Sequence, residues 1–249
     1  MNNQEIGNQV IKVKSVDSTN NYAAKLLNQT KVPFGTVIMA HYQTNGKGQR
    51  NTIWSSNGGD NLLMSVLLDL SFMPSEKIFF LSKSIALAIR AAVVDVIGIE
   101  SHLKWPNDVL IDNKKIAGVL IENQWKKSNI VSSVVGVGLN VNQVDFQESF
   151  SATSLKKITN KNYNVDNILK VLCKKLNKYY DQLASLKYDN IDLEYHQHLV
   201  NNNKFCEFEE NNMVFSAKVK GVNQQGELML EFTNGDVKSY ELKQITQLL

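Results

Sequence analysis

Residues 104–122 constrain this chain more than any other stretch. They read Lys104-Trp105-Pro106-Asn107-Asp108, Val109-Leu110-Ile111, Asp112-Asn113-Lys114, then Lys115-Ile116-Ala117-Gly118-Val119-Leu120-Ile121-Glu122. Two apolar runs on either side of a short Asp/Asn/Lys turn predict a β-hairpin. Pro106 has no N–H and biases Trp105 toward an extended backbone, so the chain bends or leaves the sheet there while Lys104, Asn107 and Asp108 stay close together. A glycine inside a strand, here Gly118, marks a bulge or a close approach by a ligand or another backbone. A plain surface hairpin accounts for any one of these residues but not for all of them.

The flanking sequence supplies elements that can pack around such a hairpin. Residues 10–16 alternate as a strand, and Asp17-Ser18-Thr19-Asn20 offers helix-capping side chains ahead of Tyr22, Ala23, Leu26 and Leu27 at helical spacing. Residues 36–41 predict a strand that leads into a loop holding Gln43, Gly46, Lys47, Gly48, Gln49, Arg50 and Trp54. Backbone N–H groups and two cations in such a loop can cup an anion. It is not a P-loop, because Gly46-Lys47 is followed by Gly48, and it fails G-x-G-x-x-G at Asn51. Residues 61–68 form an apolar run suited to a strand buried on both faces. Ile78, Leu81, Ile85, Ala88, Ile89, Ala92 and Val96 predict a helix over residues 76–97 with Gly98 as its C-terminal stop. A strand over residues 130–135 runs into Gly136-Val137-Gly138-Leu139-Asn140, whose small residues admit a backbone or a ligand. Helices follow over residues 165–183 and 191–199. Short strands over 204–208, 213–222, 227–232 and 237–240 then predict a small β-barrel.

Composition narrows the classes. The 249 residues are 43% hydrophobic and 20% charged, as in an ordinary water-soluble domain, and the net charge of +3 comes from scattered lysines, weak support for nucleic-acid binding. No apolar run reaches the length of a membrane span, and Met1-Asn2-Asn3-Gln4-Glu5 has no signal-peptide character, so a cytoplasmic protein without a membrane partner is expected. Cys173 and Cys206 match no metal spacing and read as reduced thiols; His196 and His198, two apart on a helix, diverge and make a poor metal pair.

Four motifs in order resemble the bacterial biotin protein ligases over nearly the whole chain. They are Ser18-Thr19-Asn20, the loop from Gly46 to Trp54, Lys104-Trp105-Pro106-Asn107-Asp108 with Lys115-Ile116-Ala117-Gly118, and Gly136-Val137-Gly138-Leu139-Asn140. The resemblance implies an α/β (α+β) catalytic domain over residues 1–200. This would be a mixed β-sheet with flanking helices like class II aminoacyl-tRNA synthetases, followed by an SH3-like barrel over residues 201–249. It implies a ligase that activates biotin with Mg-ATP as biotinyl-5'-AMP and transfers it to a lysine of a biotin carboxyl carrier protein, with no tightly bound prosthetic group. By resemblance, Ser18, Thr19, Asn20, Gln43, Gly46, Lys47, Gly48, Gln49, Lys115 and Gly118 bind biotin. Arg50, Trp54, Lys104, Asn107, Asp108 and Asn140 bind the nucleotide, Lys115 and Arg50 are catalytic, and Asp108 holds Mg2+. The loop departs from the family pattern where Lys47 replaces a commoner Arg, Asn51 a Gly and Thr52 an Arg. Some relatives begin with a winged helix-turn-helix; here Asp17-Ser18-Thr19-Asn20 lies too near the start to leave room for one, so a monofunctional enzyme that binds no DNA, able to form a homodimer, is expected. The rivals are a lipoate or octanoate ligase of the same fold and a nucleic-acid-binding module, the latter lacking exposed aromatics interleaved with basic strands.

Overall fold

A computed structural model describes residues 5–29, 32–49, 52–146 and 151–248. Seven strands form the main sheet: β1 (Val10–Val16), β2 (Val37–Gln43), β3 (Leu62–Asp69), β4 (His102–Lys104), β5 (Asp108–Ile111), β6 (Lys114–Lys126) and β7 (Asn129–Leu139), in the order β1-β2-β3-β7-β6-β5-β4. Only β1 and β2 run parallel; every other neighbouring pair is antiparallel, so the sheet is mixed, as expected.

Strand β3, paired on both sides, is buried along nearly its whole length, which explains its near-continuous apolar run. Against the sheet packs α2 (Phe79–Ile97), and α4 (Val165–Ala184) packs against α2. Their buried Leu, Ile and Val side chains each contribute roughly 1.5–3 kcal/mol of burial. The helix predicted from residue 76 begins at Phe79, because Pro74 leads into a separate 3-10 turn at Ser75–Lys77; Gly98 ends it in the left-handed conformation. α1 (Thr19–Gln29) lies over β3 and β7.

The 104–122 stretch holds the predicted hairpin. Asp112 and Asn113 both have positive φ, the geometry of a tight two-residue turn between β5 and β6. Trp105-Pro106-Asn107 makes a second turn, and the residues before it form β4, which apolar patterning did not reveal because it is only three residues long. The short helix α3 (Leu155–Thr159) and the two-residue strand β12 (Thr246–Gln247) escaped prediction for the same reason.

After α5 (Tyr188–His198) the chain forms a second sheet from β8 (Phe205–Glu210), β9 (Met213–Val222), β10 (Leu228–Glu231), β11 (Val237–Tyr240) and β12, ordered β11-β10-β9-β8-β12. The expected barrel is thus found as a five-stranded antiparallel sheet; no ladder joins β11 to β12 among the described residues. Its core is continuous with that of the main sheet. Val222 is held twice: its carbonyl accepts from the fully buried Lys83 Nζ at 3.0 Å, and its N–H donates to His196 Nε2 at 2.9 Å. The Trp105 indole N–H donates to the Gly226 carbonyl at 2.9 Å, tying the second sheet to the Trp-Pro turn. Sequence reading assigned α2 to core packing and did not anticipate that it carries a buried cation. No helix among the described residues is long and apolar enough to cross a membrane.

Candidate functional site

The site is built on two rows of residues that cross β3, β7 and β6. One row is Ser65, Gly136 and Leu120; the next is Leu63, Gly138 and Gly118. The rows are two residues apart along each strand, about 7 Å. Glycines in β7 and β6 leave room above the sheet, and other parts of the chain fill it.

Over the first row sits the start of α1. A Cβ on Gly136 would come within 2.4 Å of Asn20 Oδ1, so the glycine is what lets this helix approach. Ser18, Thr19 and Asn20 are all buried. Thr19 donates its N–H to Gln43 Oε1 at 2.7 Å and its hydroxyl lies 3.1 Å from the same oxygen. Ser65 Oγ lies 2.7 Å from Thr19 Oγ1 and 2.6 Å from Asn20 Oδ1, while Asn20 Nδ2 donates to Glu122 Oε2 at 2.8 Å. Four buried or half-buried polar side chains thus satisfy one another beside an apolar strand.

Over the second row lies Trp54. A Cβ on Gly138 would come within 2.4 Å of its Cε2, and one on Gly118 within 3.1 Å of its Cζ3 and 3.0 Å of Lys115 Cε. Lys115 Nζ stands 5.5 Å from the indole centroid and 2.6 Å from Asp108 Oδ1. The latter contact is an ion pair without the alignment of a hydrogen bond. The Trp54 indole N–H is buried with no acceptor among the described residues. Gly118 and Gly136-Val137-Gly138, expected to admit a ligand or another backbone, are approached among the described residues by side chains, those of Lys115, Trp54 and Asn20.

The Lys104 to Asp108 segment flanks this end. Asn107 clamps β6 from the side: its Nδ2 donates to the Val119 carbonyl at 2.7 Å and its own carbonyl accepts from Val119 N–H at 3.1 Å. Lys104 Nζ lies 3.4 Å from the Gln247 carbonyl of the second sheet. Burial pulls the Lys104 ammonium below its ordinary pKa, with Asp108 opposing the shift and Lys115 adding to it. Asn140 is buried and spends its Nδ2 on the carbonyls of Thr153 at 3.0 Å and Lys115 at 3.5 Å, so it braces the backbone of Lys115 from behind. Lys115 is braced again by pairing with Ala152, its N–H donating to the Ser151 carbonyl at 2.8 Å.

The loop after β2 folds back on itself. Lys47 pairs with Ile53, Gly48 N–H donates to the Thr52 carbonyl at 2.7 Å, and Trp54 N–H donates to the Gly46 carbonyl at 2.9 Å. Gly46 is buried, and a Cβ there would meet the Trp54 carbonyl at 2.4 Å. Gln49 takes part through its carbonyl, which accepts from Thr52. Lys47 is exposed and donates to Asn21 Oδ1 at 2.5 Å; Asn21 in turn bonds Asp17, which with the Ser18 N–H holds the Asp17 carboxyl below its ordinary pKa. Lys47 is thus anchored to α1 and apart from the Lys115–Asp108 pair. Arg50 and Asn51 lie outside the described residues.

Asp108 alone does not make a metal centre: no group of three His, Cys, Asp or Glu side chains converges among the described residues. A lone carboxylate already shared with an ammonium suits a Mg2+ ion that arrives on phosphate oxygens, the usual habit of that ion.

Sequence reasoning missed Ser65 and Glu122. Ser65 had a signal, as the one hydroxyl within the apolar run of β3, where burial demands a partner. Glu122 read only as the polar end of a strand; its pairing with a residue 102 positions away is a product of the tertiary fold.

A family model described as the biotin/lipoate A/B protein ligase family matches residues 12–140. The chain is 29% identical over 239 residues to the bifunctional ligase/repressor BirA of Bacillus subtilis, covering 94% of this chain and 73% of that protein. It is 35% identical over 124 residues to the biotin--[acetyl-CoA-carboxylase] ligase of Mycobacterium tuberculosis, covering 49% of this chain and 45% of that one. Among solved structures, the biotin protein ligase of Aquifex aeolicus in complex with biotin and ATP superposes with a TM-score of 0.81 at 25% identity, covering 97% of this chain and 99% of that chain.

Proposed function

The chain belongs to the biotin/lipoate A/B protein ligase family, and from that premise we propose that it is an ATP-dependent biotin protein ligase. The observation that carries the choice of biotin is the buried polar cluster of Thr19, Gln43, Ser65 and Asn20 at the row of Gly136. A ureido ring brings N–H donors and a carbonyl that can add bonds to such a cluster, whereas the dithiolane of lipoate or the alkyl end of octanoate would cover these groups without gaining one. About 7 Å along the strands, Trp54 and Lys115 take the tail and the carboxylate.

In the first step a carboxylate oxygen of biotin attacks the α-phosphorus of Mg-ATP; the bond to the β-phosphate breaks and pyrophosphate leaves. Lys115, held by strand pairing on both sides, is the cation placed to neutralise the carboxylate and the bridging phosphate as charge builds. Asp108 keeps that ammonium in place until the substrate arrives and would be the protein carboxylate that holds the ion carried by ATP. Asn107 and Asn140 fix the strand that carries Lys115. Asn140 reaches the nucleotide end through that brace, and Lys104 adds a second cation beside it. The Trp54 indole N–H, buried without an acceptor, is available to a phosphate or carboxylate oxygen.

In the second step the neutral amine of an acceptor lysine on a carrier domain attacks the acyl carbon, AMP leaves with the electrons of the anhydride bond, and the nitrogen gives up one proton to water as the amide forms. On this reading residues 1–200 are the catalytic part and residues 201–249 a cap held against the Trp105 turn. Isothermal titration tests the substrate: binding of biotin, with lipoate at least a hundredfold weaker on the order expected for an unmatched buried polar site, supports the reading. Preference for lipoate overturns it.

A further inference from the structure

Lys115 reaches the site only because β6 breaks its alternation one residue later. Successive side chains of an unbroken strand point to opposite faces, so counting back from Gly118 on the site face gives that face to Ile116 and the core to Lys115. The structure has the reverse. Ile116 and Ala117 are both fully buried in the core that includes α2, and Lys115 shares the face of Gly118, its Nζ 3.1 Å from where a Cβ on that glycine would stand. The register gives the reason. Val109 pairs with Ala117 but Leu110 pairs with Lys115, which leaves Ile116 as the extra residue of a β-bulge, and a one-residue slip exchanges the faces of everything beyond it.

The bulge has its own support. Carbonyls of consecutive strand residues ordinarily point to opposite edges, yet those of Lys115 and Ile116 both turn to the side of Asn140. Ile116 O accepts from Asn140 N–H at 2.8 Å, and Lys115 O accepts from Thr153 N–H at 2.9 Å with Asn140 Nδ2 at 3.5 Å. Lys115 N–H donates to Ser151 O at 2.8 Å, so both backbone groups of this lysine are taken by residues 151 and 153. Asn140 ties that strap down in turn, its Nδ2 donating to the Thr153 carbonyl at 3.0 Å, and both Thr153 and Asn140 are buried. We propose that the bulge at Ile116 is what turns the lysine into the site, and that Thr153 and Asn140 are positioning residues whose effect on the reaction passes through Lys115. The proposal rests on the ligase reading for the role of Lys115 and adds what holds that side chain on the reacting face.

The test is a double-mutant cycle on the full-length protein, read as single-turnover, biotin-dependent pyrophosphate release at saturating biotin and ATP. T153P removes the N–H that bonds Lys115 O, and release is expected to fall about ten- to a hundredfold, the scale of a reacting group displaced by about 1 Å. T153S keeps that N–H, and A152P removes one that takes no part in the pairing; both stay within about twofold of wild type, the range of a change that breaks no named interaction. N140A lowers release about tenfold. In a K115M background the group these residues position is gone, so T153P and N140A change release by less than about twofold. Wild-type release from folded T153P, an equal loss in A152P, or losses that multiply with that of K115M each overturn the positioning role while the ligase activity of the wild type stands. If T153P does not fold, N140A with and without K115M decides. Wild-type protein that releases no pyrophosphate with biotin overturns the ligase reading itself, and this proposal with it.

Discussion

The indole of Trp54 rests on the bare backbone of Gly138, close enough that a Cβ on the glycine would lie 2.4 Å from Cε2. The contact joins the loop after β2 to the central strand β7 and closes the site from above. Gly138→Ala is expected to lift the ring at a cost of about 1–3 kcal/mol, the scale of overpacking a fitted contact. Biotin-dependent pyrophosphate release should fall about tenfold or more, with the far-UV spectrum unchanged. Full activity in a folded variant would show that Trp54 has no part in holding the substrate.

Lys115→Met keeps the length of the side chain and removes its charge. Asp108 then loses its partner, but this pair is partly exposed, so stability changes by about 1 kcal/mol or less. Adenylation is expected to drop by about two to three orders of magnitude, the scale for loss of one preorganised charge donor. Pyrophosphate release at the wild-type rate would remove Lys115 from the mechanism.

Much of this was legible in the sequence, and the exceptions have physical reasons. The 104–122 hairpin, β3 and α2 announce themselves because their periodicity or turn chemistry is local. The glycines at 118, 136 and 138 were readable as close approaches, yet the sequence does not say that Asn20 and Trp54 fill the space. Lys83 reads as one of many lysines; burial, the 2.5 Å contact to Asp192 and the rings of Phe79, Phe80 and Tyr195 around it come from elements far apart in the chain. Ser65 and Glu122 belong to the same class, residues whose meaning depends on a partner that only the fold supplies.

Asp192 gives the fold a pH signature. Burial alone would push its carboxyl up, but hydrogen bonds from His196 and Lys83 outweigh it and bring the pKa from 3.8 down to about 2. A folded pKa below the unfolded one stabilises above pH 3.8, and that contribution is lost as pH falls through about 2. With the carboxylate side chain 40% exposed, the effect is about 1 kcal/mol after solvent screening. Thermal melting of wild type and Asp192→Asn is expected to differ at neutral pH and converge near pH 2. A gap of constant size across that range would contradict the assignment.

Neither cysteine is expected to take part in the reaction. Cys173 is buried against Gly7, and burial pushes its thiol up to about 11, far from a reactive thiolate; Cys206 is likewise raised, first by burial. The variant Cys173→Ser/Cys206→Ser is expected to transfer biotin at the wild-type rate. Loss of transfer with an unchanged melting temperature would point to a thioester intermediate on the enzyme.

The most direct measurement is intact-mass spectrometry of a biotin carboxyl carrier domain incubated with this protein, biotin and Mg-ATP. The carrier is expected to gain the mass of one biotinyl group at one lysine, only when ATP is present, and not with Lys115→Met over the same interval. A carrier that stays unmodified with active, biotin-bound protein, or that gains a lipoyl or octanoyl group in its place, would contradict the account.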